Sequence, residues 1–362
     1  MVIYWDVTKT GSGSHKSGIN RVSERLLDSL SVLPSVSLVP VVWSQRTRKF
    51  ILFDKKREPL ETGEPSSFFV SCEVFCEAER VGFEDWLKAF RGKGCLIFHD
   101  AIPLQFPEFT WPRSVNRHPH YMKMLLKFDA IFAVSDHSLS VLKSYLEWLT
   151  PQVLPSCARI YLGADFDRSE RSEPLMERKV RQLVMSGIIE PRKNQSLLLD
   201  AVEVLGREQV TFSVHFVGRV NPYFGRPIVK RIRAMKRAGF PVFYEQSVSD
   251  EQMGDLYAQS LLSVFPSQAE GCGLPVLESL WSGLPVLASD IPAVREHGSS
   301  GGIAYFKNND LDSLVDGLRT LFDERSGVLE GLYARIASQS LKTWKESAQV
   351  LVDALGRLSY YG

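Results

Sequence analysis

The sequence predicts an α/β chain of two doubly wound domains in series, and three observations lead there. Its 362 residues suit two domains of ordinary size. Short apolar runs alternate with amphipathic helical stretches through most of the chain, the pattern of parallel strands covered by helices on both faces. That alternation pauses at a charged, apolar-poor stretch, 165–174, and then restarts.

In the first half, strands are expected at 2–5, 38–43, 51–53, 67–70, 94–98 and 130–134, with a short strand and turn at 160–163. A helix at 19–30 carries apolar residues at 19, 22, 26, 27 and 30, one face of a 3.6-residue period. Ser135 reads as the cap of another helix. In the second half, strands are expected at 181–186, 211–217, 241–244, 261–266 and 285–288. Helices are expected at 194–205, 226–238, 250–260 and 275–282, with a helical tail at 338–358. The domain reading is 1–168, 169–340 and a C-terminal helix, 341–362, that crosses back to the first domain.

Composition excludes several classes. The chain is 44% hydrophobic and 23% charged, as in soluble globular proteins. Lys and Arg number 43 against 42 Asp and Glu, a net charge of +1, which gives no support to nucleic-acid binding. No run approaches the ~18 apolar residues of a spanning helix, and the N-terminus lacks a signal-peptide pattern, so a cytoplasmic protein is expected. Five cysteines, an odd number in a large chain, argue against a disulfide framework. Cys72 and Cys76 have no second ligand pair at zinc spacing, and no metal site is expected.

In doubly wound sheets, ligands bind at the carboxyl ends of the strands, so the loops there carry the interest. After the strand at 261–266 comes Glu270-Gly271-Cys272-Gly273-Leu274-Pro275, and then Glu278 about one turn into a helix. Pro275 suits a first helical turn. The unpaired N–H groups and positive dipole end at that helix start form an anion site for which a diphosphate is a natural occupant. Glycines at 271 and 273 permit close backbone approach. Glu270 and Glu278 would repel phosphate but accept sugar or ribose hydroxyls. A second segment, Gly187-Ile188-Ile189-Glu190-Pro191-Arg192-Lys193-Asn194, places two adjacent cations before a helix. Cations are disfavoured there unless an anion lies between them; a solvated pair is the competing reading.

The spacing Glu270-x7-Glu278 resembles the E-x7-E signature of retaining glycosyltransferases of glycosyltransferase family 4. Residues 249–257, 264–267, 270–278 and 283–286 follow in that family's order. Cys272 stands where an aromatic residue is usual, and Trp281 where a small one is often found. Arg192-Lys193-Asn194 resembles the family's donor-phosphate motif, with Ile188 where many relatives carry arginine.

The resemblance implies the GT-B fold, two Rossmann-like domains facing a central cleft, acting as a hexosyltransferase-type glycosyltransferase. It implies Arg192 and Lys193 at the donor diphosphate, Glu270 at the transferred sugar, and Gly273, Leu274 and Glu278 at the nucleotide. Gly218, in Val217-Gly218-Arg219, would line the nucleotide pocket. Ser17-Gly18-Ile19 resembles the N-terminal loop that faces the diphosphate, and Phe98-His99-Asp100 the stretch whose histidine lies near the donor sugar. Asp100 either orients His99 or caps the next turn. His118 and His120 read as loop residues with no task.

The implied substrates are a nucleotide diphosphate sugar as donor, with no further cofactor, and a glycan or lipid-linked glycan as acceptor. Mannosyl or rhamnosyl transfer in bacterial surface polysaccharide or O-antigen synthesis is the variant most resembled. The cationic helix at 226–238 is either a solvated outer face or a peripheral contact with anionic lipid at the inner face of the membrane. A nucleotide-sugar epimerase and a non-catalytic sugar-nucleotide or glycan-binding relative are the alternatives.

Overall fold

The computed structural model describes residues 1–11, 17–54, 56–151, 153–166, 170–174, 181–298 and 301–360. The middle of the glycine-serine loop, 12–16, and parts of the stretch 165–174 therefore lie outside the described residues. The chain divides into two compact units, Met1–Gly163 with Lys342–Gly362, and Ala164–Leu341.

The first unit holds a seven-stranded sheet built from β1 (Val2–Asp6), β2 (Ser37–Ser44), β3 (Lys49–Leu52), β4 (Phe68–Ser71), β5 (Lys93–Phe98), β6 (Ala130–Ala133) and β7 (Ser156–Arg159). The spatial order is β3-β2-β1-β4-β5-β6-β7. All pairs are parallel except β2–β3, whose antiparallel register runs from Val41↔Leu52 to Ser44↔Lys49. β4 and β6 are buried along their whole length, as strands covered on both faces should be. Helix Gly18–Ser31 begins at Ser17, whose hydroxyl accepts from Asn20 N at 3.1 Å, and it buries Val22, Leu26 and Leu30. Ser135 caps helix Asp136–Trp148 in the same way, at 2.9 Å from Ser138 N. The terminal helix Trp344–Tyr360 packs against Gly18–Ser31, burying Trp344, Ala348, Leu351 and Leu355.

The second unit holds six parallel strands: β8 (Gln182–Ser186), β9 (Ser213–Val217), β10 (Val242–Glu245), β11 (Leu262–Phe265), β12 (Val286–Ser289) and β13 (Ile303–Phe306). Their order is β10-β9-β8-β11-β12-β13. From β8 the chain winds outward to β9 and β10, then returns to the other side of β8 as β11. The loops after β8 and β11 thus meet at a topological switch point, the place where open α/β sheets bind ligands.

Several expectations need correction. The strand expected at 160–163 lies upstream, at Ser156–Arg159. The tail is not one helix: Val328–Ser338 ends, and a new helix starts at Trp344, where Thr343 Oγ1 accepts from Glu346 N at 3.2 Å and Glu346 accepts from Thr343 N at 2.8 Å. The sheet of the first unit is mixed, because a tight turn through left-handed Arg48 folds β3 back on β2. His118 and His120 lie within helix Pro112–Met124 rather than a loop, and His118 is buried. The division falls at Gly163–Ala164 rather than after 168, because Phe166 already packs with Val184, Val217, Met253, Tyr257 and Leu284 of the second unit. Among the described residues no helix is long and apolar enough to cross a membrane.

Candidate active site

The switch point of the second unit brings three of the expected residues together, Arg192, Lys193 and Glu270. After β8, Gly187 turns with φ 137°, and Pro191–Lys193 forms a single 3-10 turn ended by left-handed Asn194 (φ 58°). The two cations therefore sit on a turn of their own, ahead of helix Gln195–Arg207, rather than on that helix's first turn. The loop after β11 is stitched to this turn: Gln268 N donates to Arg192 O at 2.8 Å, and Gln268 Nε2 donates to Pro191 O at 3.2 Å.

The side chains close the same junction. Lys193 Nζ donates to Glu270 Oε1 at 2.6 Å, and Arg192 Nη1 lies 3.0 Å from Glu270 Oε2. Arg192 also donates to Ala269 O at 2.6 Å and pairs with Glu190 at 2.8 Å. Asn221 Nδ2 bonds the second oxygen of Glu190 at 3.0 Å. Lys193 and Glu270 are buried. Burial alone would raise the Glu270 carboxyl, but Arg192 and Lys193 outweigh it and hold the group down at about 2. Burial pulls Lys193 downward, against the opposing pull of Glu270. The anion that makes sense of two adjacent cations is thus, in the protein itself, the Glu270 carboxylate.

Gly273 caps helix Leu274–Trp281 in the left-handed region, φ 87°. A side chain there would meet only ordinary contacts, with Val294 at 3.4 Å and Phe265 at 3.7 Å, so the backbone conformation is what asks for glycine. Glu278 is buried on this helix. His297 is a residue the sequence reading missed. Its Nε2 lies 2.7 Å from Cys272 O, and its own carbonyl accepts from Gln339 Nε2 at 2.7 Å, which ties the Gly-Cys-Gly turn to the end of the unit. No motif spacing flags a histidine 25 residues downstream.

Gly218 has a packing reason of its own. Its φ is 149°, and a Cβ would lie 1.9 Å from Gly187 O. The ends of β8 and β9 meet there, with Gly187 N donating to Val217 O at 2.9 Å.

Two expected residues lie in the first unit. Gly18 is the first residue of helix Gly18–Ser31, with open space where a side chain would project. His99 follows β5 and is buried, with Nε2 2.8 Å from Cys72 O; burial pulls its titration downward. Asp100 Oδ1 accepts from Ile102 N at 3.0 Å, so it caps the following turn.

Two α/β sheets of this order, one in each unit, are those of the GT-B class of folds. Residues 167–342 match the family described as glycosyl transferases group 1. It is similar over 97% of its length, at 26% identity, to the serotype-specific mannosyltransferase WbdA of Escherichia coli, covering 46% of that protein; the chain spans about half the length of the first curated relatives it matches. It is 25% identical to the lipopolysaccharide core biosynthesis mannosyltransferase LpsB of Rhizobium meliloti (strain 1021), covering 64% of this chain and 66% of that protein. The fold matches sucrose-phosphate synthase from Thermosynechococcus elongatus with a TM-score of 0.71 over the full length of both chains, at 13% identity. It also matches Anabaena HepE in complex with UDP and glucose, with a TM-score of 0.67 at 12% identity, over 99% of this chain and all of that one.

Proposed function

We propose that the protein is a retaining glycosyltransferase of family 4 that moves a hexose from a nucleoside-diphosphate donor to a saccharide or lipid-linked saccharide acceptor. The observation that carries this reading is the buried junction of Arg192, Lys193 and Glu270 at the switch point of the second sheet. In the reaction the bond from the anomeric carbon to the diphosphate oxygen breaks, and charge grows on the departing diphosphate. Two fixed cations and the N-terminal end of helix Leu274–Trp281 are suited to stabilise that charge without a metal ion. Glu270, bound to both cations, stands beside the phosphate position and presents its carboxylate to the hydroxyls of the transferred sugar. Glu278 would hold the ribose.

Mannosyl transfer is the donor reading we favour, because WbdA and LpsB are mannosyltransferases by name; rhamnosyl transfer is the second reading. The product would enter surface polysaccharide or O-antigen, at the cytoplasmic side of the membrane. The exposed cations Arg226, Lys230, Arg233, Lys236 and Arg237 on helix Gly225–Arg237 give a face for anionic lipid. The deciding experiment incubates the protein with nucleotide sugars and an oligosaccharide acceptor and reads the anomeric configuration of the product by NMR. A product of inverted configuration, or epimerised donor without transfer, overturns the reading.

A further inference from the structure

The first unit has a switch point too. From β1 the chain winds outward to β2 and β3 and returns as β4 on the other side of β1, so the loops after β1 and β4 meet. A buried charge network fills this junction. Asp6, at the end of β1, accepts from the Ser71 hydroxyl at 2.7 Å and pairs with Arg80 at 2.6 Å. Arg80 pairs with Glu73 as well, and its guanidinium lies 3.7 Å from the centre of the Phe75 ring. Asp6, Glu73 and Arg80 are all buried.

The two carboxylates face the backbone of the turn at 7–11. Asp6 Oδ1 accepts from Thr8 N at 3.1 Å and from the Thr8 hydroxyl at 2.6 Å. Glu73 Oε1 accepts from Lys9 N and, at 3.3 Å, from Thr10 N. Gly11 N closes the turn on Val7 O at 2.7 Å. One residue, 64 and 63 positions away, thus holds two successive amides of a turn that leads directly into the glycine-rich segment. One buried guanidinium faces two buried carboxyls, an arrangement costly unless other groups answer it; the two amides of the turn and the Lys9 ammonium do so.

We propose that Glu73 is a positioning residue: it fixes the backbone turn at 7–11, and through it the approach to the glycine-rich segment and helix Gly18–Ser31. The hold is pH-dependent. Burial pushes the Glu73 carboxyl up, the neighbouring Asp6 adds to this, and Arg80 and Lys9 oppose it, leaving the group at about 7. Cys72 also lies within electrostatic reach of Glu73, while Glu79 and Arg117 face Lys9. The closed turn therefore retains a proton that a hydrated carboxyl gives up near its ordinary value of 4.5. By linkage, opening becomes easier as pH rises toward about 7 and levels off above it.

Hydrogen exchange at the Lys9 and Thr10 amides, corrected for intrinsic rate, tests this on the whole chain. Glu73→Ala should lower protection at both amides by about tenfold, since both lose their acceptor at once. Glu73→Gln, which still accepts from the amides but does not titrate, should keep most of the protection and lose its decline between pH 5 and 7. Full protection in Glu73→Ala, or an unchanged pH dependence in Glu73→Gln, overturns the proposal; if Glu73→Ala does not fold, the Glu73→Gln profile decides alone. A second arm rests on the transferase reading: kcat/KM for sugar transfer should follow amide protection across the variants. Because exchange is read without substrate, a failed glycosyltransferase assignment leaves the first arm intact.

Discussion

Lys193 Nζ and Glu270 Oε1 meet at 2.6 Å across 77 residues of sequence, and Arg192 reaches the other oxygen of the same carboxylate at 3.0 Å. A donor diphosphate would share or take over the cations that Glu270 holds. Removing Glu270 should therefore have two opposite effects. Without ligand, Glu270→Ala takes the carboxylate partner from buried Lys193, while Arg192 keeps Glu190, and should cost about 3 kcal/mol of stability. With a free nucleoside diphosphate, the variant should recover more of its thermal stability than the wild type gains. A variant as stable as wild type, or one that gains no more from the nucleotide, removes the competition between carboxylate and phosphate.

The same pair sets an acid limb. Glu270 titrates at about 2 in the folded protein against an ordinary 4.5, so its contribution is fully present above about pH 4.5 and is lost as pH falls through about 2. Denaturant unfolding between pH 2 and 5 should show a shallower loss of stability in Glu270→Gln than in wild type. Parallel curves would mean that other carboxylates carry the limb.

Arg192→Ala and Lys193→Ala should each lower kcat/KM at least about tenfold, since a charge-assisted bond to phosphate is worth more than ~1.4 kcal/mol. Activity should persist in EDTA. Unchanged kinetics in both variants, or loss in EDTA restored by Mg2+, contradicts a diphosphate held by these cations.

Gly218 separates packing from donor contact. A Cβ placed 1.9 Å from Gly187 O at φ 149° forces the ends of β8 and β9 apart, so Gly218→Ala should destabilise the protein by roughly 2–3 kcal/mol, measured by denaturant unfolding. A stable variant with a raised donor KM would return Gly218 to a direct role at the nucleotide.

On the outer face, replacing Arg226, Lys230 and Arg233 with glutamate should abolish sedimentation with vesicles rich in anionic lipid while leaving binding of a free nucleoside diphosphate unchanged. Equal sedimentation of the variant makes this helix a solvated face.

The sequence made the second unit the more legible. Its strands are short apolar runs between turns, and the Glu270–Glu278 block and the Arg192-Lys193 pair carry their chemistry in adjacent letters. What adjacency cannot show is the pairing of the two blocks: nothing local tells that Glu270 closes on Lys193, because the switch point that joins them is a property of strand order. His297 and Glu73 were missed for the same reason. Each acts on a loop far away in sequence, through a carbonyl or amide that any residue could supply. β13 escaped because Ile303–Phe306 is only four residues long and half-covered, too short for its period to show. The helix around His118 was read as a loop because Pro119 lies inside it, and proline ordinarily ends a helix.

Gly163, the last residue before the chain leaves the first unit, is packed against the backbone where the chain has just returned; a Cβ there would lie 2.4 Å from Trp344 N. One compact body is thus spliced into another between two neighbouring points. On the ribosome this reverses the usual order of events. The earlier half is made first, but the helix Trp344–Tyr360 that covers Gly18–Ser31 emerges only after the whole inserted body, roughly 10–40 s later at ordinary elongation rates. The body begun second is the one free to finish first, and until then the apolar face of helix Gly18–Ser31, with Val22, Leu26 and Leu30, waits uncovered.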